Sequence, residues 1–179
     1  MHIYMVRHGQ SKDNAHKLVS GDRETTLTEL GKEQARQAGR KAKAFKIDLI
    51  VCSPLQRAQQ TARLIADELD MPDSAIVTIQ ELRERDLGDL EGHSYAKNER
   101  LNGNFPAVEH IRGVEPLTYF HSRVQHGLRQ ILQHKQHKSV LIVCHFIVGR
   151  MLRVIMQDKK AEAIYDEPRI ENATIYKLM

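Results

Sequence analysis

The sequence predicts an α/β fold with three layers (αβα), in which a mainly parallel central sheet lies between two layers of helices. Two observations support this class. Short apolar runs typical of buried strands recur along the chain, and they alternate with segments that have a helical pattern. Strands that alternate with helices are typical of βαβ units, whose crossover helices cover both faces of a parallel sheet. The length of 179 residues fits a single domain spanning residues 1–179.

The first predicted strand covers residues 3–6, where a short apolar run ends abruptly at Arg7, His8 and Gly9. Such a run suits either a buried strand or part of a helix, and the sharp break favours a strand. Further strands are predicted at residues 47–52, 76–79 and 140–144, with a last, edge strand at residues 173–176. Runs that are apolar throughout indicate strands that are buried on both faces of the sheet.

Three helices are predicted between these strands, at residues 28–45, 54–69 and 147–156. Thr28 and Glu29 suit the start of the first helix. One side of this helix holds Leu30, Gln34, Ala38 and Ala42. Ser53 and Pro54 suit the start of the second helix, as an N-cap followed by proline at the first helical position.

The segment at about residues 92–126 fits this alternation poorly. Its apolar residues are sparse, and Gly103, Pro106, Gly113 and Pro116 interrupt it. We interpret the segment as a cap-like insertion of helix and loop within the single domain.

The composition is that of a water-soluble globular protein, with 41% hydrophobic and 28% charged residues. The apolar runs are too short for a membrane span, and the N-terminus lacks the order of a signal peptide. We therefore predict a cytoplasmic protein with no membrane partner. Basic side chains at helical spacing indicate a solvated helix face, and an aromatic content of 5% offers little for base stacking. No nucleic-acid partner is expected. Cys52 and Cys144 end apolar stretches and are assigned to the core.

Charged and polar side chains follow three of the predicted buried strands. Arg7 and His8 follow the first strand, Arg57 follows the second shortly afterwards, and His145 follows the strand at residues 140–144. In open parallel sheets, ligands bind just beyond the carboxyl ends of the strands. These four side chains are therefore expected to meet in one crevice.

The residue types in that crevice indicate a phosphate site. Arg7 and Arg57 carry guanidinium groups whose fork of donors matches phosphate oxygens, and helix N-termini after the strands would add backbone N–H donors. The neighbouring arginines should keep His8 and His145 neutral, and a neutral histidine can act as a nucleophile. Nothing in this set calls for a metal or another cofactor.

Residues 6–11, Val-Arg-His-Gly-Gln-Ser, resemble the signature of the histidine phosphatase superfamily, also called the phosphoglycerate mutase-like family. Further matches occur in the family's order at Asn14, Gly21, residues 27–31, Gln34, Ala35, residues 53–62, residues 82–84, Gly88, Glu91, Gly92 and His145. The resemblance covers essentially the whole chain. It implies a phosphoglycerate mutase-like fold.

The resemblance also implies roles for particular residues. His8 would be the nucleophile that becomes phosphorylated, while Arg7, Arg57 and His145 would hold the transferring phosphoryl group and stabilise its charge. Asn14 would add a hydrogen bond to phosphate. Glu84 matches the family's acid, which protonates the leaving oxygen and then activates water. Its neighbour Glu81 is the nearest rival for that role.

Some positions depart from the family pattern. Phe146 follows His145 where glycine is common, Glu24 stands where aspartate is frequent, and Leu90 precedes Glu91 where an aromatic residue is usual. Phe146 would narrow the pocket or shift the hydrogen bonds from that helix start. These departures bear on the substrate more than on the chemistry.

The favoured function is a metal-independent phosphomonoester hydrolase, similar to the histidine acid phosphatases, that acts on a small phosphorylated metabolite through a phosphohistidine. A phosphoglycerate mutase is the main alternative, although such mutases resemble longer chains with a larger insertion. A phosphohistidine phosphatase acting on proteins and a non-catalytic phosphate-binding protein are further alternatives. The oligomeric state is left open, with a homodimer as one option.

Overall fold

The computed structural model describes residues 1–95 and 108–179. In this part of the chain a five-stranded sheet forms the centre of the fold. Its strands are β1 (His2–Arg7), β2 (Leu49–Cys52), β3 (Ile76–Thr78), β4 (Ser139–Cys144) and β5 (Ile175–Lys177). The spatial order is β3-β2-β4-β1-β5, and every neighbouring pair is parallel except β1 and β5. The predicted α/β class and the predicted edge position of the last strand are confirmed.

Helices cover both faces of this sheet. They are α1 (Lys12–Ala15), α2 (Glu29–Ala42), α3 (Gln56–Glu68), α4 (Leu117–Gln133) and α5 (Phe146–Met156). Alternate strand residues point to opposite faces. Val6 and Leu141 pack with α2 and α3, whereas Met5 and Ile142 pack with α4 and α5. The fold therefore has the three layers that the sequence predicts. Within the described residues, no helix is long and apolar enough to cross a membrane.

Residues predicted to share one side of α2 differ in their burial. Leu30 is 55% exposed, whereas Ala38 and Ala42 are buried. The buried residues are Gly31, Ala35, Ala38, Gly39 and Ala42. At Gly39 no side chain fits because α2 packs closely against α3: a Cβ atom added there would lie 2.7 Å from the Cβ of Glu68 on that helix.

The start of α3 also differs from the prediction. The helix begins at Gln56 with Leu55 as its N-cap residue, so Ser53 and Pro54 do not start it. The Oγ of Ser53 accepts a hydrogen bond from the backbone N–H of Leu55 and lies 2.7 Å from Nε2 of His145. Ser53 thus links the end of β2 to the residue that follows β4, and it does not cap α3.

The predicted insertion at about residues 92–126 is described only in part. Residues 96–107, and with them Gly103 and Pro106, lie outside the described residues. Residues 117–126 form the first part of α4, where Phe120 and Val124 are buried in the main core. Whether the remaining residues act as a cap stays a prediction.

Candidate active site

A pocket lies beyond the carboxyl ends of β1 and β4. Five residues that the sequence predicts as site residues line it together: Arg7, His8, Asn14, Arg57 and Glu84. They come from four separate stretches of the chain, and only the tertiary structure brings them together. His145 is completely buried and is not among the lining residues.

His8 follows the last residue of β1, and its backbone N–H donates to the carbonyl of Cys144 on β4. Nδ1 of the ring lies 2.7 Å from the Gly9 carbonyl oxygen, which can only accept, so this nitrogen carries the proton. Nε2 then holds the lone pair. Burial, followed by the charges of Arg57 and Arg7, lowers the pKa of His8 well below its ordinary value of 6.5. His8 is therefore a neutral imidazole, and Nε2 is its candidate nucleophilic atom.

The loop that carries His8 packs tightly against the start of α2. The backbone N–H of Gly9 donates to Oγ1 of Thr61 on α3, at 3.1 Å. A Cβ atom added at Gly9 would lie 2.2 Å from the carbonyl oxygen of Gly31. Glycine is required at both Gly9 and Gly31 because the backbone of this loop approaches the backbone of α2 more closely than any side chain allows.

Arg57 lies in the first turn of α3 and is only 1% exposed. Its Nε–H group donates to Nε2 of His8 at 3.2 Å. The two terminal nitrogens donate to the carbonyl oxygens of Arg23 and Gly21, each at 2.7 Å. The guanidinium group thus joins the nucleophile candidate to the loop at residues 20–23.

Arg7 is buried at the end of β1 with part of its donor capacity unused. Nη1 donates to the carbonyl oxygen of Ile170 at 3.0 Å, while the buried Nε has no hydrogen-bond partner among the described residues. Burial lowers the pKa of Arg7 to about 10, which leaves the group charged at neutral pH. In the described part of the chain, neither Arg7 nor Arg57 forms a salt bridge with a carboxylate. Two buried cations without carboxylate partners are suited to bind an anion.

His145 follows the last residue of β4 and is the N-cap residue of α5. Its ring centroid lies 5.2 Å from that of His8. Nε2 forms a hydrogen bond with Oγ of Ser53, and Nδ1 is buried with no hydrogen-bond partner among the described residues. Burial, followed by the charge of Arg57, lowers the pKa of His145 well below 6.5. The structure therefore places His145 beside His8, and its predicted contact with the phosphoryl group stays a prediction.

Asn14 lies at the pocket wall with its amide oxygen already in use. Oδ1 accepts hydrogen bonds from the backbone N–H of Ser11 and from Nδ2 of Asn172. The side-chain NH₂ group of Asn14 is then the part suited to donate to a phosphate oxygen. Asn172 also donates to the carbonyl oxygen of His8 at 2.7 Å. Sequence reasoning missed Asn172, whose only signal is a short polar residue just before a predicted edge strand.

Glu84 is 6% exposed, and its carboxylate lies at the N-terminus of α5. Its two oxygens accept hydrogen bonds from the backbone N–H groups of Ile147 and Val148, at 3.0 and 3.1 Å. Burial raises the pKa of Glu84, while these hydrogen bonds and the charge of Arg57 act in the opposite direction. Such a carboxyl group keeps its proton to higher pH than an exposed one, as a general acid requires.

The rival carboxylate Glu81 points elsewhere. Its Oε1 accepts a hydrogen bond from Gln130 at 2.8 Å and lies 3.1 Å from Nδ1 of His126, both on α4. Glu81 does not line the pocket. The geometry therefore favours Glu84 over Glu81 for acid and base chemistry.

Phe146, one of the three departures from the family pattern, forms part of the pocket wall. Its ring lies among three guanidinium groups, with the central carbon atoms of Arg7, Arg150 and Arg169 at 5.2, 5.4 and 5.9 Å from the ring centroid. Arg169 also lines the pocket and was not predicted as a site residue. Its sequence neighbourhood carries no signal that separates it from an ordinary surface arginine.

Comparison with known families agrees with this geometry. The sequence model of the histidine phosphatase superfamily (branch 1) matches residues 3–179. The chain belongs to the histidine phosphatase superfamily. The family and the phosphoglycerate mutase-like fold predicted from the sequence are thereby confirmed.

Individual members of the superfamily are similar over different lengths. An uncharacterized phosphatase, PhoE, from Bacillus subtilis (strain 168) is 37% identical over 145 residues, covering 80% of this chain and 70% of that protein. A 2,3-bisphosphoglycerate-dependent phosphoglycerate mutase from Methylobacterium sp. (strain 4-46) is 47% identical over 92 residues, covering 50% of this chain and 44% of the mutase. The alpha-ribazole phosphatase from Shigella flexneri has a similar structure, with a TM-score of 0.80 at 27% identity, covering 98% of this chain and 88% of that one.

Proposed function

We propose that this member of the superfamily is a phosphomonoesterase that hydrolyses a small phosphorylated metabolite through a phosphohistidine at Nε2 of His8. The observation that carries the proposal is the pairing of His8 with Arg57. A neutral imidazole directs its lone pair to a buried guanidinium, and the pocket holds a second buried guanidinium at Arg7. The phosphatases among the relatives support the same reaction class.

In the first step of the proposed reaction, Arg7, Arg57 and Asn14 bind the phosphoryl oxygens. The Nε–H group of Arg57 leaves Nε2 of His8 for a phosphoryl oxygen. The freed lone pair of Nε2 forms a bond to phosphorus while the bond from phosphorus to the leaving oxygen breaks. Glu84 donates its proton to that oxygen, and the alcohol leaves. The imidazole becomes positively charged, and its Nδ1–H group remains bonded to the Gly9 carbonyl oxygen, which stabilises that charge.

In the second step, the Glu84 carboxylate accepts a proton from water, and the resulting oxygen nucleophile attacks phosphorus. The bond between phosphorus and Nε2 breaks, phosphate leaves, and His8 is neutral again. The carboxylate and Nε2 thus return to their starting protonation states after one turnover.

The proposed reaction needs no metal ion, since Arg7 and Arg57 supply the positive charge that a metal would bring to the phosphoryl oxygens. In needing no metal ion, the proposed enzyme resembles the histidine acid phosphatases. A cytoplasmic location and a small-molecule partner are part of the same proposal, and the oligomeric state, a homodimer included, stays a prediction.

The test is hydrolysis of p-nitrophenyl phosphate with a chelator present, comparing the wild type with His8→Ala. The matched control is His16→Ala, since His16 is exposed and does not line the pocket. We expect chelator-resistant turnover in the wild type and the control, and an acid-labile phosphoenzyme that His8→Ala does not form. Turnover that survives in His8→Ala would overturn the proposal.

Phosphoglycerate mutase activity is the second candidate, favoured by the match to mutases at 47% identity. A mutase would interconvert 2- and 3-phosphoglycerate without net release of phosphate. Measurement of both isomers and of free phosphate in one reaction separates the two functions. A protein that neither turns over nor becomes labelled on His8 would instead be a phosphate-binding protein.

A further inference from the structure

Glu84 depends on a side chain outside the pocket for its position. We infer that Arg123, on α4, is a positioning residue for Glu84, and this inference rests on the proposed function of Glu84 as the acid. Arg123 does not line the pocket. It acts on the reaction only through the backbone segment that carries Glu84.

The guanidinium group of Arg123 binds three carbonyl oxygens of that segment. Nη1 donates to the carbonyl of Glu81 at 2.7 Å and to that of Arg83 at 3.0 Å. Nη2 donates more weakly to the carbonyl of Glu84 at 3.4 Å. One side chain therefore satisfies three backbone acceptors within four consecutive residues, which fixes the course of the chain at residues 81–84.

Arg123 is itself held in place. Its Nε and Nη2 groups donate to the two carboxylate oxygens of Glu115, at 2.8 and 2.7 Å, so the pair is bidentate. Its central carbon lies 5.1 Å from the ring centroid of the buried Phe120. The side chains of Arg123 and Glu115 are only 19% and 11% exposed, so water screens this contact weakly. A partly buried bidentate pair of this kind holds a planar guanidinium in one orientation.

Contacts to two helices thus hold the carboxyl group of Glu84 in position. The N-terminus of α5 binds its side chain through Ile147 and Val148, and Arg123 of α4 binds its backbone. Proton transfer to a leaving oxygen needs hydrogen-bond distance, so a small displacement of Glu84 lowers the rate of that transfer more than it lowers phosphate binding. This selectivity distinguishes a positioning role from a general stabilising role.

The experiment compares two substrates of similar size that differ in their need for an acid. The p-nitrophenolate of p-nitrophenyl phosphate leaves readily without a proton, whereas the alkoxide of benzyl phosphate needs one. Both are measured as kcat/KM, which covers the steps up to departure of the alcohol and excludes hydrolysis of the phosphohistidine. The variants are Arg123→Met, Arg123→Lys and Glu115→Gln. Arg129→Met is the matched control, because Arg129 is an exposed arginine on the same helix.

We expect Arg123→Met to lower kcat/KM for benzyl phosphate at least about tenfold more than for p-nitrophenyl phosphate, within the range of general acid effects. Arg123→Lys should show a smaller discrimination, because a lysine keeps the charge but cannot reproduce the fork of donors. Glu115→Gln, like Arg123→Lys, should lower kcat/KM for benzyl phosphate more than for p-nitrophenyl phosphate. In a Glu84→Gln background, Arg123→Met should have no further selective effect on benzyl phosphate.

Equal losses on both substrates, or an undiminished selective loss in the Glu84→Gln background, would overturn the inference and assign Arg123 a purely structural role. If Arg123→Met does not fold, the same criterion applies to Arg123→Lys and Glu115→Gln. Failure of the proposed function has a different signature, because the wild type itself would then release no phosphate from either substrate, or His8→Ala would keep its turnover.

Discussion

The Nε–H group of Arg57 donates a hydrogen bond to Nε2 of His8, with 3.2 Å between the two nitrogens. The contact holds the ring in one orientation and contributes to the low pKa of His8 through the positive charge of the guanidinium. The same guanidinium lines the pocket in which the proposed phosphoryl group would bind. One side chain therefore orients the nucleophile and would stabilise the charge that develops on the group it attacks.

The first prediction concerns this contact. Arg57→Lys keeps a positive charge but loses the fork that joins His8 to the carbonyl oxygens of Gly21 and Arg23. We expect kcat/KM for p-nitrophenyl phosphate to fall about 10²- to 10³-fold, the effect of losing one donor to a developing oxyanion. The control is Arg63→Lys, which changes an exposed arginine on the same helix. Activity within a few-fold of the wild type would show that Arg57 supplies charge alone.

The second prediction concerns the pH dependence of the first chemical step. The active form needs neutral His8, which is present above its lowered pKa, and protonated Glu84, which is present below its raised pKa. The kcat/KM for benzyl phosphate should therefore rise with pH on the acid side and fall on the alkaline side. Glu84→Gln should lower the rate and remove the part of the alkaline decline that belongs to Glu84. The substrate's own ionisation is the same for both enzymes, so an identical alkaline limb would exclude Glu84 as the acid.

The third prediction concerns stability rather than activity. The folded state holds His8 and His145 neutral below pH 6.5, whereas the unfolded chain binds a proton at each. The free energy of unfolding should therefore be highest above that pH. Below it, the free energy should fall by up to about 1.4 kcal/mol per pH unit for each histidine.

Urea unfolding at several pH values in a Glu84→Gln background checks this, because the raised pKa of Glu84 contributes with the opposite sign. Adding His8→Gln should remove the contribution of His8 to the slope of the free energy of unfolding against pH and leave that of His145. If the slope stays the same, His8 is not held neutral in the folded protein.

The fourth prediction concerns Gly31, in the first turn of α2. Replacing glycine by alanine inside a helix ordinarily stabilises a protein by about 1 kcal/mol. A Cβ atom at Gly31 would lie 2.0 Å from the carbonyl oxygen of Gln10, which cannot move without displacing the loop that holds His8. Gly31→Ala should therefore destabilise by about 1–3 kcal/mol, as overpacking does, and lower the activity. The free energy of unfolding and the turnover of Gly31→Ala are measured beside those of the control Gln37→Ala, which changes an exposed residue of the same helix. A stabilised, fully active Gly31→Ala would contradict the close approach of the backbones.

Residues at the ends of buried strands were predictable from the sequence. Arg7, His8 and His145 each follow a continuous apolar run, and parallel strands bring such ends to one edge of a sheet. Ser53 carries the same signal at the end of β2. The sequence predicts a helix cap there because a serine before a proline also suits a helix start, and only the contact with His145 distinguishes the two roles.

Residues whose role depends on contacts between helices were not predictable in this way. Arg123 lies in an amphipathic helix that has one other arginine, and nothing in its sequence spacing separates it from that exposed Arg129. Glu84 and Glu81 are three residues apart in one polar stretch. Their difference is spatial, because one carboxylate lies at the N-terminus of α5 and the other contacts α4.

The sequence by itself determined the α/β class, the order of the strands and the strand ends where the site lies, because hydrophobic periodicity and strand polarity are local properties. The tertiary structure decided which face of α2 is buried, which carboxylate reaches the pocket, and which contacts hold the residues around the site. Examples of such residues are Ser53, Asn172, Arg123 and Arg169. These features depend on backbone approach and on hydrogen bonds between residues far apart in the chain, and no local pattern records them.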